Sequence, residues 1–357
     1  MNSRDRVLKV FNFEKPDRVP IYDLLRNHNA IEYYSGKKIT YNESDREAVI
    51  KAISKSLDMT RSIRLPQREH IFEEEGFLIK QQEWTSWIEK RPFNNEDDAK
   101  RWIRGQIHKL EQSMPYLEKW IEEKLREYIS LQSDLEDTLL LWTATELGFC
   151  DVYTKLGMEN MVYIYFEEPK LISDWLELKC EKTVKCIKSA LNQDLVPVAF
   201  IGEDIAYKNG LLFSPSFLEK EFIPRLKRVV QAYHDKGIKV IFHSDGNLMG
   251  ILNDLIECSI DGLNPLEPLA GMDIGKIKRR IGEKVVLIGN IDCSHLLPFG
   301  TTEEVRKEVK KTIELAASGS GFILASSSEL HNEIPLENIL AFIEYGKKYG
   351  SFNRLDF

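Results

Sequence analysis

Five short apolar runs, each ending in a cluster of polar side chains and separated from the next by a stretch of helical character, constrain this chain more than any other feature. Residues 196–202 lead into Glu203 and Asp204, and residues 238–242 into His243, Asp245 and Asn247. Residues 262–266 lead into Glu267, residues 285–289 into Asn290 and Asp292, and residues 322–325 into Ser326, Ser327, Ser328, Glu329 and His331. Short apolar runs alternating with amphipathic segments read as βα units on a parallel sheet. Polar groups at one end of many such strands are what the reactive face of a TIM barrel presents.

Three further runs complete the count: residues 18–23, residues 57–63, and a stretch from Leu139 to Glu146. The expectation is an α/β protein, a TIM (β/α)8 barrel with strands near Val19, Met59, Leu140, Val198, Val240, Leu263, Leu287 and Ile323. An N-terminal helical extension precedes it, and alternating residues between about Phe77 and Pro92 predict an inserted hairpin. Helical periodicity from Asp97 to Glu127 is redirected by Pro115. No linker rich in Pro, Gly or Ser and no repeat divides the chain, so residues 1–357 are expected to form a single domain.

His243 and Asp245 are the sharpest chemical signal. Residues two apart on a strand share a face, and Gly246 lets the backbone turn immediately afterwards. An imidazole and a carboxylate are thereby held together where the chain leaves a rigid element. The alternative is a histidine that caps the strand and an aspartate that bonds its own turn.

Charge and cysteine usage narrow the classes. The net charge of -8 gives no electrostatic reason to expect nucleic acid or an anionic membrane. No run approaches the roughly 18 apolar residues of a membrane span. The first eleven residues are too charged for a signal peptide, so cytoplasmic residence is expected. Cys150, Cys180, Cys186, Cys258 and Cys293 have no metal-binding spacing and read as free thiols. Residues 318–321, Ser-Gly-Ser-Gly, precede a strand and read as a tight turn, not a phosphate loop.

In order along the chain, residues 15–20 (KPDRVP), 202–210 (GEDIAYKNG), 243–247 (HSDGN), 262–267 (GLNPLE), 289–292 (GNID) and 335–338 (PLEN) resemble the uroporphyrinogen decarboxylase superfamily. That superfamily also contains cobalamin-dependent methyltransferases. The resemblance covers nearly the whole chain and implies a TIM barrel with an N-terminal extension. It does not imply the founding reaction: where those decarboxylases carry an Arg- and Gln-rich signature for a polyanionic tetrapyrrole, residues 21–28 here contain one arginine, Arg26.

The methyltransferase branch fits better. Its thiol-methylating members hold zinc through a His-x-Cys pair and a later Cys; this chain keeps His243 but has Asp245 and Ser328 at the cysteine positions. Zinc also accepts carboxylate oxygen, and a donor set without thiolates is harder and suits an ether or hydroxyl oxygen. The resemblance therefore implies an O-demethylase-type, zinc- and corrinoid-dependent methyltransferase component. Its donor is a small methyl ether or similar compound. The expected metal ligands are His243, Asp245, Glu203 and Glu267, with Asp204, Asn247, Asp292 and His331 directed to the substrate or to support of the ligands. The corrinoid would arrive on a partner protein, because the chain lacks an Asp-x-His-x-x-Gly motif. A homodimer is left open.

Two rival readings stand beside it: a decarboxylase of a small carboxylic acid or porphyrinogen-like substrate, with Arg26 and Arg61 as carboxylate holders, and a non-catalytic binding protein using the same cavity. Crowded carboxylates at the strand ends favour a metal, since they repel one another unless a cation or shared proton compensates.

Overall fold

The computed structural model describes residues 1–145 and 147–351; Glu146, expected at the end of the third run, lies outside the described residues. Strand β1 (Met59–Thr60) pairs in parallel with β2 (Leu139–Leu140). Strands β3 (Val198–Gly202), β4 (Lys239–His243), β5 (Gly262–Asn264), β6 (Val286–Ile291) and β7 (Phe322–Ser326) form a five-stranded parallel sheet in chain order. Isolated parallel bridges join Trp142 to Ala199, Tyr22 to Met59 and Ile21 to Leu324. The runs expected at residues 57–63 and beyond are thus strands.

The run at residues 18–23 forms only bridges. Pro20 has no N–H to give to a ladder, and the Ile21 N–H donates to Asp58 Oδ2 at 2.8 Å. The expected hairpin is also larger than its sequence suggested: His70–Glu74, Phe77–Gln81 and Ser86–Lys90 make a three-stranded antiparallel sheet. All five residues of its first strand are exposed, so no alternation of apolar and polar residues marked it.

Alternation along the strands sorts their side chains into two sets. Met59, Leu139, Leu141, Val198, Phe200, Ile241, Val286, Ile288, Ile323 and Ala325 form one cluster with Val7, Val10 and Phe11 of helix α1 (Ser3–Phe11). The opposite set packs under the surrounding helices. These include α2 (Leu117–Asp134), α3 (Phe149–Leu156) and α4 (Pro169–Ala190). The Pro115 redirection is present as a 3₁₀ turn, Met114–Tyr116, before α2. No described helix is long and apolar enough to cross a membrane, and all five cysteines are free.

Candidate metal and substrate site

At the carboxyl end of β4 the inward row continues from Ile241 to His243, which is 8% exposed and sits in register between Gly202 and Asn264. The Asn264 amide nitrogen faces the Ile288 carbonyl at 3.4 Å. Its Oδ1 is therefore turned to His243 Nδ1, 2.7 Å away. That contact makes Nδ1 the protonated nitrogen and leaves the lone pair on Nε2. Burial, then the nearby Arg61 charge, push the imidazole down to about 4, so it is neutral at ordinary pH.

Nε2 faces two carboxylates at distances longer than a hydrogen bond: Asp245 Oδ1 at 3.8 Å and Asp204 Oδ1 at 3.9 Å. One ligand atom from each of Asp204, His243 and Asp245 lies within 4.8 Å of the others. Asp245 Oδ1 is shut off from solvent and has no hydrogen-bond partner, although the side chain as a whole is partly exposed. Burial, then the charges of Asp204 and Glu267, raise its carboxyl to about 7. A neutral imidazole, an unpartnered buried carboxylate oxygen and a second carboxylate form a donor set suited to a divalent cation.

The sequence-derived residues divide unevenly. Asp204 joins His243 and Asp245 in place of Glu203. Phe200 and Gly202 belong to the inward row, so Glu203 falls on the outward side, where its carboxylate accepts from Gly148 N at 2.9 Å and Cys150 N at 2.6 Å at the start of α3. Glu267 lies outside the three-residue group; its Oε2 accepts from Gly246 N at 2.9 Å and fixes the turn after His243. Gly246 has φ +89°, and a Cβ there would stand 2.5 Å from Tyr207 N, so the turn requires glycine.

The remaining three serve the backbone. Asn247 Oδ1 accepts from Met249 N at 3.0 Å. The Asp292 carboxylate accepts from Ser294 N and Leu296 N, each at 2.9 Å, and His331 Nε2 lies 3.0 Å from the Cys293 carbonyl. Two residues without a role in the leading metal reading act on His243 directly: Asn264 through the 2.7 Å contact with Nδ1, and Arg61 through its charge. Parity was the signal for Arg61, which lies two beyond Met59, whereas Asn264 comes beside His243 only through the pairing of β5 with β4. A separate cavity of about 490 Å³ between α2 and α4, lined in part by Trp120, Tyr128 and Trp142, meets this site only at Arg61.

Glu203→Gln should therefore leave bound metal unchanged while weakening the seat of α3. Loss of a charge-assisted cap is worth about 1–2 kcal/mol, readable as a lower urea midpoint at constant metal content.

Comparison with known proteins gives a consistent set. The family model for uroporphyrinogen decarboxylase (URO-D) matches residues 150–349. A methylcobamide:CoM methyltransferase, MtaA of Methanosarcina barkeri, is 29% identical over 109 residues, 30% of each chain. MtbA of Methanosarcina acetivorans, also a methylcobamide:CoM methyltransferase, is 22% identical over 184 residues, 52% of this chain and 51% of that protein. The uroporphyrinogen decarboxylase of Pseudoalteromonas atlantica is 32% identical over 80 residues, 22% of each. The matches thus span between about a fifth and a half of the curated relatives' lengths. Among solved structures, a methyltransferase from Methanosarcina mazei shares the fold with a TM-score of 0.66 at 17% identity, over 98% of this chain and 99% of that one.

Proposed function

Because this chain belongs to the uroporphyrinogen decarboxylase family, we propose that it is the methyltransferase component of a corrinoid-dependent system. It moves a methyl group between a small methylated donor, a methyl ether or similar compound, and a corrinoid protein. The observation that carries the reading is the group at Asp204, His243 and Asp245, with Nε2 presented as a lone pair and Asp245 Oδ1 unpartnered. The methyltransferase relatives support the reaction class.

The same reading takes the chain as one domain, a closed (β/α)8 barrel with an N-terminal helix and an inserted antiparallel sheet, located in the cytoplasm. The bridges at Ile21, Tyr22 and Trp142 support closure.

Zinc fits the donor set, and His243, Asp204 and Asp245 would hold it. When bound, it supplies Lewis acidity to the oxygen that the methyl group leaves. The chain's own residues do the rest. Asn264 fixes the ring and tautomer of His243, the Asp245 N–H holds Asp204 Oδ1 at 2.9 Å, and Glu267 anchors the Gly246 turn between the ligands and Asn247.

The test is metal content of protein purified without chelator, followed by corrinoid methylation with a purified corrinoid protein. About one metal per chain and methyl transfer to cobalt are expected; metal-free protein active on the same donors defeats the reading. Asn264→Ala releases the Nδ1 partner and should weaken metal binding roughly 10- to 100-fold, measured by competition with a chromogenic chelator.

A further inference from the structure

Arg61 lies two residues beyond Met59, which belongs to the inward cluster, so strand alternation carries it to the same side as His243. Its guanidinium carbon is 4.7 Å from the centre of the Phe200 ring, and that ring is 5.1 Å from the His243 ring. Gly202 opens the space between them. A Cβ there would be 3.3 Å from Phe200 Cε1, 3.8 Å from Arg61 Nη1 and 3.9 Å from His243 Cδ2. The missing side chain leaves a notch with a cation on one wall and the imidazole on the other.

The neighbouring arginines are already engaged. Arg26 pairs with the Glu329 carboxylate, and Arg64 donates to the Trp84 carbonyl. Among the described residues, Arg61 is met by the Phe200 ring and by no carboxylate at ion-pair distance. The buried Nε of Arg26 also lacks an acceptor. Burial lowers Arg26, and the charges of Arg64 and Arg61 lower it further against the opposing pull of Glu329. Clustered guanidiniums with unfilled donors are stabilised by an anion.

We propose that the methyl donor carries a carboxylate, and that Arg61 binds this group across the Gly202 notch while the methylated end lies toward His243. This rests on the methyl-transfer reading and narrows it. The acidic pair Asp204 and Asp245 alone would have been compatible with a cationic methylamine; Arg61 beside His243 disfavours one by like-charge repulsion.

The test uses calorimetric binding to the metal-containing protein. The probes are two acid and amide pairs of different length, methoxyacetate with methoxyacetamide and 4-methoxybenzoate with 4-methoxybenzamide, together with 2-methoxyethyl-trimethylammonium. In at least one pair the acid should bind about 10- to 100-fold more tightly than its amide, and the ammonium compound should bind least. Arg61→Gln should abolish that preference at unchanged metal content, and Arg61→Lys should recover part of it. Equal binding of acid and amide by the unmodified protein in both pairs, or a preference that survives Arg61→Gln, overturns the proposal.

Metal content and cobalt methylation, measured on the same samples, decide the underlying reading separately. An acid preference accompanied by release of CO2 without cobalt methylation keeps the Arg61 assignment and rejects methyl transfer. Cobalt methylation without any acid preference does the reverse.

Discussion

His243→Ala should leave a folded protein with almost no bound metal and no measurable corrinoid methylation. The imidazole supplies the one nitrogen of the Asp204, His243 and Asp245 group, and a methyl group cannot donate a lone pair in its place. Its removal also strips Asn264 Oδ1 of its 2.7 Å contact and leaves the two carboxylates facing each other. Since loss of a supporting partner alone weakens a metal by about 10- to 100-fold, loss of the ligand should exceed 100-fold. The checks are elemental analysis, circular dichroism and cobalt methylation on one preparation. Full metal content with full activity in this variant would sink the mechanism. Cys293→Ala is the control: that thiol is buried, lies outside the metal-ligand group and should not alter metal content.

The second large effect lies at the other end of the strands. Asp58 is fully buried and precedes β1; its Oδ1 accepts from Arg6 Nη1 at 2.7 Å and its Oδ2 from Arg18 Nη1 at 2.7 Å and Ile21 N at 2.8 Å. Asp58→Ala leaves Arg6 Nη1, the Arg18 guanidinium and the buried Ile21 N–H without their shared acceptor, which costs about 2–4 kcal/mol because Asp17 still holds Arg6. A markedly lower urea midpoint is expected, while the fraction that remains folded keeps its metal.

Acid should mimic the substitution. Burial pushes the Asp58 carboxyl up, but the charges and hydrogen bonds of Arg18 and Arg6 outweigh it and hold the group below the usual range. Asp17, opposed by burial and lowered chiefly by Arg6, falls to about 2. Folded-state values below the unfolded ones mean that this stabilisation is complete above about pH 4 and drains away as pH falls toward 2. The pH dependence of the urea midpoint in that window should shrink in Asp58→Ala; an unchanged slope would show that other carboxylates govern acid unfolding.

Much of this architecture was legible because burial leaves a trace in residue type. The runs that became β3 to β7 are apolar on both sides, as strands covered by helices must be, and their polar ends are visible as breaks in that pattern. What could not be read was where each strand stops. The ladder of β3 ends at Gly202, and that register decides that Asp204 turns inward and Glu203 outward, a choice invisible when two acids stand side by side. His70–Glu74 escaped notice because it buries nothing, whereas residues 18–23 read as a full strand although a carboxylate, not a neighbouring strand, takes the Ile21 N–H. Asn264 and Arg61 were in plain view, but their place beside His243 depends on pairing between distant segments.

The back-to-back placement of Glu203 and Asp204 also says how this scaffold can be rewritten. The outward acid fastens a helix and tolerates little change, whereas the inward Asp245 has an oxygen that bonds to nothing in the protein. Replacing Asp245 with cysteine would soften the donor set without disturbing any fastening made by that oxygen. On the methyl-transfer reading, preference for oxygen- or sulfur-linked methyl groups thus becomes a property tunable one inward residue at a time, open to selection in the laboratory while the outward row keeps the protein whole.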